Sequence, residues 1–349
     1  LSIAAILAQD GITSGAIYAL LALALVLVFS VTRVIFIPQG EFVAFGALTL
    51  ASMQSGKFPQ SVTLLVALGV LTFVTEVVAR LRNAEQRRGA WRGLLLALVK
   101  FVLLPLAIYF VTRNVASPTL ALPWQVLLTL LIVIPMGPMV YRLAFQPLAE
   151  ASVLVLLIVA VAVHFALTGL GLLMFGAEGS RTTPFSDARI EVGALAITGQ
   201  SIVIIGVSIV LIIALYLYFE QTLSGKALRA TAINRLGARL VGIGTTQAGR
   251  LAFTLAAAMG ALCGVLIAPL TTVYYDSGFL IGLKGFVAAI IGGMTSYPLS
   301  AAGAVLVGLL ESYSSFWASA FKEVIVFTLI IPVLLWRSLS SHHVEEDDV

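Results

Sequence analysis

Charge is the scarcest commodity in this chain. Only 10% of its 349 residues are Asp, Glu, Lys or Arg, against about 25% in a typical soluble domain. A surface of that poverty cannot keep a chain this long in water, so a soluble globular fold is excluded. Cysteine is nearly absent too. The lone Cys263 lies in an apolar run, which rules out an internal disulfide and a cysteine-rich metal site. Several catalytic and nucleotide-binding signatures are missing. There is no Gly-x-x-x-x-Gly-Lys-[Ser/Thr] loop to cradle phosphates, since Ser224-Gly225-Lys226-Ala227 lacks both the first glycine and the hydroxyl for magnesium. His-Glu-x-x-His, Gly-x-Ser-x-Gly and paired carboxylates are missing as well. An enzyme is therefore not expected, nor a cofactor or metal held by this chain.

What the chain has in abundance is apolar length. Hydrophobic residues make up 60% of it and the mean hydropathy is +1.08. Runs such as 20–29, 153–163 and 202–217 are apolar all round, as suits lipid or a bundle interior. A helix needs about 20 apolar residues to cross roughly 30 Å of hydrocarbon. That measure predicts spans near 12–32, 62–80, 93–112, 124–140, 152–175, 200–219, 249–270, 299–317 and 322–337. Two shorter apolar segments, 41–53 and 284–296, read as half-helices shielded inside the bundle. The predicted fold is an all-α polytopic bundle with 9–11 crossings. It forms one membrane domain over 1–340, followed by a disordered acidic tail, 341–349. The stretch 12–29 is too long for the core of a signal peptide.

The formal charge of +4 reads as topology rather than nucleic-acid binding. Arg80, Arg82, Arg87, Arg88 and Arg92 crowd one loop, and Lys226, Arg229, Arg235, Arg239 and Arg250 another. Placed in the cytoplasm by the positive-inside rule, they put the N-terminus outside and the C-terminus inside, with Lys57, Arg113, Arg181, Arg189, Lys284 and Lys322 on the outer face.

Among polar residues within spans, Glu76 precedes Arg80 by four positions and reads as a local ion pair. Lys100 reads as snorkelling to the inner face. His164 is deep in a span and reads as hydrogen-bonded packing more than a proton relay. Glu311 and Glu323 read as interfacial. Gly292, Gly293, Gly303 and Gly308 read as close helix packing. The tail, His342 to Asp348, reads as solvated rather than metal-binding.

The inner loop, 220–248, carries the most information. Ala227, Ala230 and Ala238 can line one face of a short helix among basic residues. Gly237 is expected to interrupt it, and Gly242 with Gly244 to turn the chain afterwards. Such a helix suits docking to a cytoplasmic partner, and a solvated basic loop explains the same residues equally well.

Four stretches in order carry a resemblance. They are Gly15-Ala-Ile-Tyr18 leading to Gln39-Gly40-Glu41-Phe42, Tyr141-Arg142 with Pro147-Leu148, Gly225-x-x-x-Arg229-Ala-x-Ala232 leading to Leu240-x-Gly242-Ile243, and Lys284-Gly-Phe286-x-Ala288 running through Gly292-Gly293-Met-x-Ser296. Together they resemble the branched-chain amino acid permease family of ATP-binding cassette (ABC) importers, across most of the chain except about 82–122. That stretch reads as an insertion with an added span. Phe36-Ile37-Pro38 departs from the family's Asn-Phe-Ala, and Thr295 and Ser300 replace usual glycines.

The resemblance implies an inner-membrane permease for branched-chain or other apolar amino acids. The implied partners are two cytoplasmic ATPase subunits that bind ATP and magnesium, a second permease, identical or paralogous, and an extracytoplasmic solute-binding protein. It assigns 220–248 to ATPase coupling through Gly225, Arg229, Ala230, Ala232, Asn234, Leu240 and Gly242. Where Pro38 and Gly40 allow a half-helix to begin, Gln39, Gly40 and Glu41 are expected to line the solute path; for Glu41 a helix-capping role is the plainer alternative. Related permeases for urea, amides or aromatic acids, and an ion-coupled secondary transporter, are the competing readings.

Overall fold

A computed structural model describes residues 2–82, 90–115, 118–192 and 195–340. Among them, nine helical stretches are long and apolar enough to cross a membrane: Ile3–Thr32, Ser61–Leu81, Gly93–Val115, Leu122–Leu148, Val153–Phe175, Gly199–Gln221, Thr245–Ile267, Tyr297–Trp317 and Ser319–Trp336. They overlap the nine long segments expected from sequence, although the first starts nine residues earlier and the fourth runs eight residues further than expected. Two short helices complete the bundle, α2 (Gln39–Gln54) and α13 (Ser277–Ile291).

In chain order, α1 is Ser2–Thr32 and α3 is Ser61–Arg82. The next span is α4 (Ala90–Leu98) and α5 (Leu104–Val115), joined through a π-helical turn at Val99–Leu103. Pro135 and Pro138 divide the following one into α6 (Leu122–Val133) and α7 (Met136–Val140). Then come α8 (Val153–Phe175), α9 (Gly199–Gln221), α10 (Leu223–Ile233), α11 (Arg235–Leu240) and α12 (Thr245–Ile267). The last are α14 (Tyr297–Trp317), α15 (Lys322–Thr328) and α16 (Ile330–Ser340). A hairpin of β1 (Arg189–Val192) and β2 (Leu195–Thr198) lies in the loop before α9.

Burial separates centre from rim. The most apolar window of α1 is 78% buried and that of α12 is 67%, against 11% for Gly93–Val115 and for α9. The span within 82–122 is therefore peripheral, packing on α3. At the centre, small residues set the spacing, as in lipid-embedded bundles where close backbone approach replaces hydrophobic drive. A Cβ on Gly308 of α14 would lie 2.2 Å from the Gly11 carbonyl oxygen and 2.5 Å from the Gly15 nitrogen of α1.

Two expectations are corrected. The second short segment is not 284–296. Helix α13 begins seven residues earlier and ends at a turn where Gly293 and Met294 take positive φ. Lys284 consequently sits mid-helix instead of at the outer face, only 5% exposed. Glu311 and Glu323, expected to be interfacial, are both ion-paired to this lysine. Lys284 Nζ donates to Glu311 Oε1 at 2.5 Å and to Glu323 Oε1 at 3.2 Å, and the Tyr18 hydroxyl donates to Glu311 Oε2 at 2.5 Å. A lysine buried at that depth is tolerated only with counter-charges beside it. The Glu76–Arg80 pair is present at 3.2 Å, and Glu76 also accepts from Arg142 at 2.8 Å, tying α3 to the turn after α7. The tail, 341–349, lies outside the described residues.

Candidate functional site

The first region of interest forms where α2 and α13 begin. Thr32 ends α1, Arg33 takes a left-handed φ of 61°, and Pro38 starts α2. The first turns of α2 and α13 pass one another antiparallel at a distance only glycine allows. A Cβ on Gly40 would lie 2.0 Å from the Gly278 carbonyl oxygen, and one on Gly278 would lie 2.2 Å from that of Gly40. The contact is reciprocal, so each helix start is the other's seat.

All three residues expected to line a path are sealed inside this crossing. Gln39 is 0% exposed and donates through Nε2 to the Ala256 carbonyl at 2.9 Å. Glu41, 1% exposed, meets Nδ1 of His164 at 2.7 Å through Oε1. Oε1 of Gln39 and Oε2 of Glu41 have no hydrogen-bond partner among the described residues, although buried acceptors are normally satisfied. His164 is the intermediary between this interior and the surface, its ring stacked on Phe279 at 4.6 Å. Beyond it opens a cleft of about 580 Å³, with Thr168, Asp276, Ser277 and Phe279 among its walls. Sequence reasoning found Gln39, Gly40, Glu41 and His164 separately. It missed that Glu41 and His164 join across 123 positions, and it missed Asp276 and Phe279, because α13 was expected to begin after them.

The second region is the loop after α9. Thr222 caps α10 by accepting from the Gly225 N–H at 2.9 Å. Gly225 is buried where a Cβ would lie 2.2 Å from the Tyr218 carbonyl oxygen. The helix is interrupted at Asn234, not at Gly237 as expected. Asn234 takes φ −146° and ψ 102°, and its Oδ1 accepts from the Gly237 N–H at 2.7 Å, capping α11. A side chain that can cap the next helix breaks this one more effectively than a glycine that merely tolerates helix. Gly242, with φ 85°, supplies the turn. The Asn234→Ala variant should lose about 1 kcal/mol of α11 stability, read as faster amide exchange across Arg235–Leu240.

The expected coupling residues thus divide. Gly225, Asn234 and Gly242 shape the chain, Ala230 and Ala232 are partly buried, and Arg229 and Leu240 face outward. Around them Leu223, Ile233, Leu236, Leu240 and Val241 are each at least 68% exposed. The signal for the missed four was present, as apolar residues among basic ones. Arg229 pairs with Glu220. Arg235 donates to the Ala149 carbonyl at 3.0 Å, and Arg239 binds Glu150, holding that carboxyl below its ordinary pKa through a hydrogen bond and its positive charge. Both arginines therefore strap the loop to the turn preceding α8. No group of three or more metal-ligating side chains gathers among the described residues.

Comparison with known proteins agrees with this architecture. The family described as "Branched-chain amino acid transport system / permease component" matches residues 7–334. The high-affinity branched-chain amino acid transport system permease protein LivH of Escherichia coli is 32% identical over 206 residues, covering 57% of this chain and 67% of that one. The corresponding BraD protein of Pseudomonas aeruginosa is 28% identical over 208 residues, covering 58% and 68%. A probable LivH permease of Methanocaldococcus jannaschii is 29% identical over 206 residues, covering 57% and 65%. No solved structure matches. With a family match spanning nearly its whole length and a bundle of nine long apolar helices, the chain belongs to the permease components of branched-chain amino acid transport systems.

Proposed function

We propose that this chain is the permease subunit of an ABC importer for branched-chain or other apolar amino acids. It lies in the cytoplasmic membrane with its N-terminus outside and its C-terminus inside. Two ATPase subunits in the cytoplasm bind ATP and magnesium, a second permease completes the path, and an extracytoplasmic binding protein delivers solute. One observation carries the reading. The loop 220–248 presents four exposed apolar side chains on two short, capped helices and a fifth, Val241, just after them, all braced to the bundle. Water alone gives no reason to display Leu223, Ile233, Leu236, Leu240 and Val241 together, whereas a groove on a partner does.

Docking is tested by co-purification of the ATPases. Arg229→Glu replaces the Glu220 ion pair with repulsion beside the patch, and Leu236→Glu places charge within it. Each should reduce recovered ATPase about tenfold or more, the equivalent of losing 1.4 kcal/mol. The permease itself should still insert and run as a monodisperse species. Undiminished ATPase recovery from both variants would rule out docking through this face. Buried ionisable pairs such as Glu41–His164 are what an ion-coupled transporter would use. Uptake that persists without the ATPases would favour that reading. Relatives for urea, amides or aromatic acids are separated by which solute the cognate binding protein retains.

A further inference from the structure

The cleft beside His164 has a chemical character of its own. Its apolar walls are Ile37, Val161, Phe165, Phe279, Leu280 and Leu283, and its polar groups are concentrated at the α13 start and on α8. Among the described residues no lysine or arginine lines it. Asp276 contributes a carboxylate at the exposed lip, and Ser277 and Thr168 contribute hydroxyls. Behind His164 stands Glu41, only 1% exposed, with one oxygen that no group among the described residues satisfies. Buried acceptors in this state are expensive unless something donates to them.

Taken together these features favour one kind of guest. Asp276 supplies negative charge at the lip, hydroxyls stand beside it, and neither lysine nor arginine is among the lining residues, so the polar end of a guest should be positive and rich in N–H donors. Its remainder should be apolar and compact enough for a volume of about 580 Å³. We infer that this cleft is a solute-holding station within the path, which seats an amino compound with an apolar tail. The ammonium lies toward Asp276 and the Glu41–His164 pair, and the tail lies against Phe165, Phe279 and Leu283. The station rests on the proposed importer reading and sharpens it. The ammonium, more than the carboxylate, is what the permease itself reads. His164 is a positioning residue here, for it links the buried carboxylate to the cleft.

A thiol at the cleft wall tests this directly. Cys263 is 0% exposed, so Thr168→Cys introduces the reactive thiol of this chain. In the assembled complex, with the native cysteines of the other subunits replaced, its labelling by a small methanethiosulfonate is timed with leucine, leucinamide or 4-methylpentanoate present. Leucinamide keeps the ammonium and loses the carboxylate; 4-methylpentanoate does the reverse. At a pH of about 6.5 the amine is charged.

Leucine and leucinamide should slow labelling saturably, by about fivefold or more, and 4-methylpentanoate should not. Protection by leucinamide should fall in Glu41→Gln. Should that buried variant fail to assemble, Asp276→Asn at the exposed lip carries the same comparison. An unprotected thiol, acid protecting as well as amide, or undiminished protection in every variant that assembles would each overturn the station. Recovery of the ATPases from the same preparations reports separately on the docking face, so failure of one reading is distinguishable from failure of the other.

Discussion

A single methyl group at Gly40 should be among the most damaging one-carbon changes in this protein. In Gly40→Ala the new carbon would stand 2.0 Å from the Gly278 carbonyl oxygen, with that residue's carbonyl carbon at 2.5 Å. Both are backbone atoms, so no side chain can swing aside and α2 must move away from α13. Overpacking of a tight core costs about 1–3 kcal/mol, and more where backbone must shift. The expected result is a clear fall in thermal midpoint in detergent and loss of solute uptake, with Gly278→Ala reproducing both.

Gly206 in α9 provides the contrast, because nothing lies within 4 Å of a Cβ built there. Gly206→Ala should be neutral or should stabilise by about 0.5–1 kcal/mol, since glycine is the weaker helix former. Equal midpoints for Gly40→Ala and Gly206→Ala would show that the crossing is looser than described.

The second large effect is expected at Lys284. Lys284→Met leaves Glu311 and Glu323 facing one another without the ammonium that bridges them, and leaves Tyr18 donating into a crowded acidic site. Removing one partner of a buried ion pair costs about 3–5 kcal/mol, because the remaining charge is stranded. The variant should be scarcely recoverable in folded form. Combining Lys284→Met with Glu311→Gln removes the nearer carboxylate and should restore much of the loss. Such rescue separates a charge effect from a packing effect; if the double variant is no better than the single one, the lysine acts through its bulk alone. Lys322, 3.8 Å from Glu323, remains to balance the second carboxylate in the double variant.

The long helices were readable because lipid imposes a length and a composition that few other constraints imitate. The ends of Val153–Phe175 and Tyr297–Trp317 differ from the expected limits by at most two residues. Short buried helices escape that rule. The start of α13 was missed although Phe279 to Leu283 are mostly apolar, because a helix held within protein has no set length to fix where it begins. Long-range partnerships were also invisible. Nothing local to Lys284 names Glu311 and Glu323, 27 and 39 positions away, and nothing local to Glu41 names His164. The break at Asn234 was legible in principle, from the preference of asparagine for helix caps, but the neighbouring glycine drew the eye.

The two straps on the turn before α8 bear on more than the loop they hold. An α-helix of 23 residues is about 34 Å long and barely compresses along its axis. Its foot is gripped by Arg235 and Arg239, and His164 rides it about halfway up. In this fold α8 carries the contact from the loop at its foot to the buried carboxylate at its middle, so the two regions share one helix.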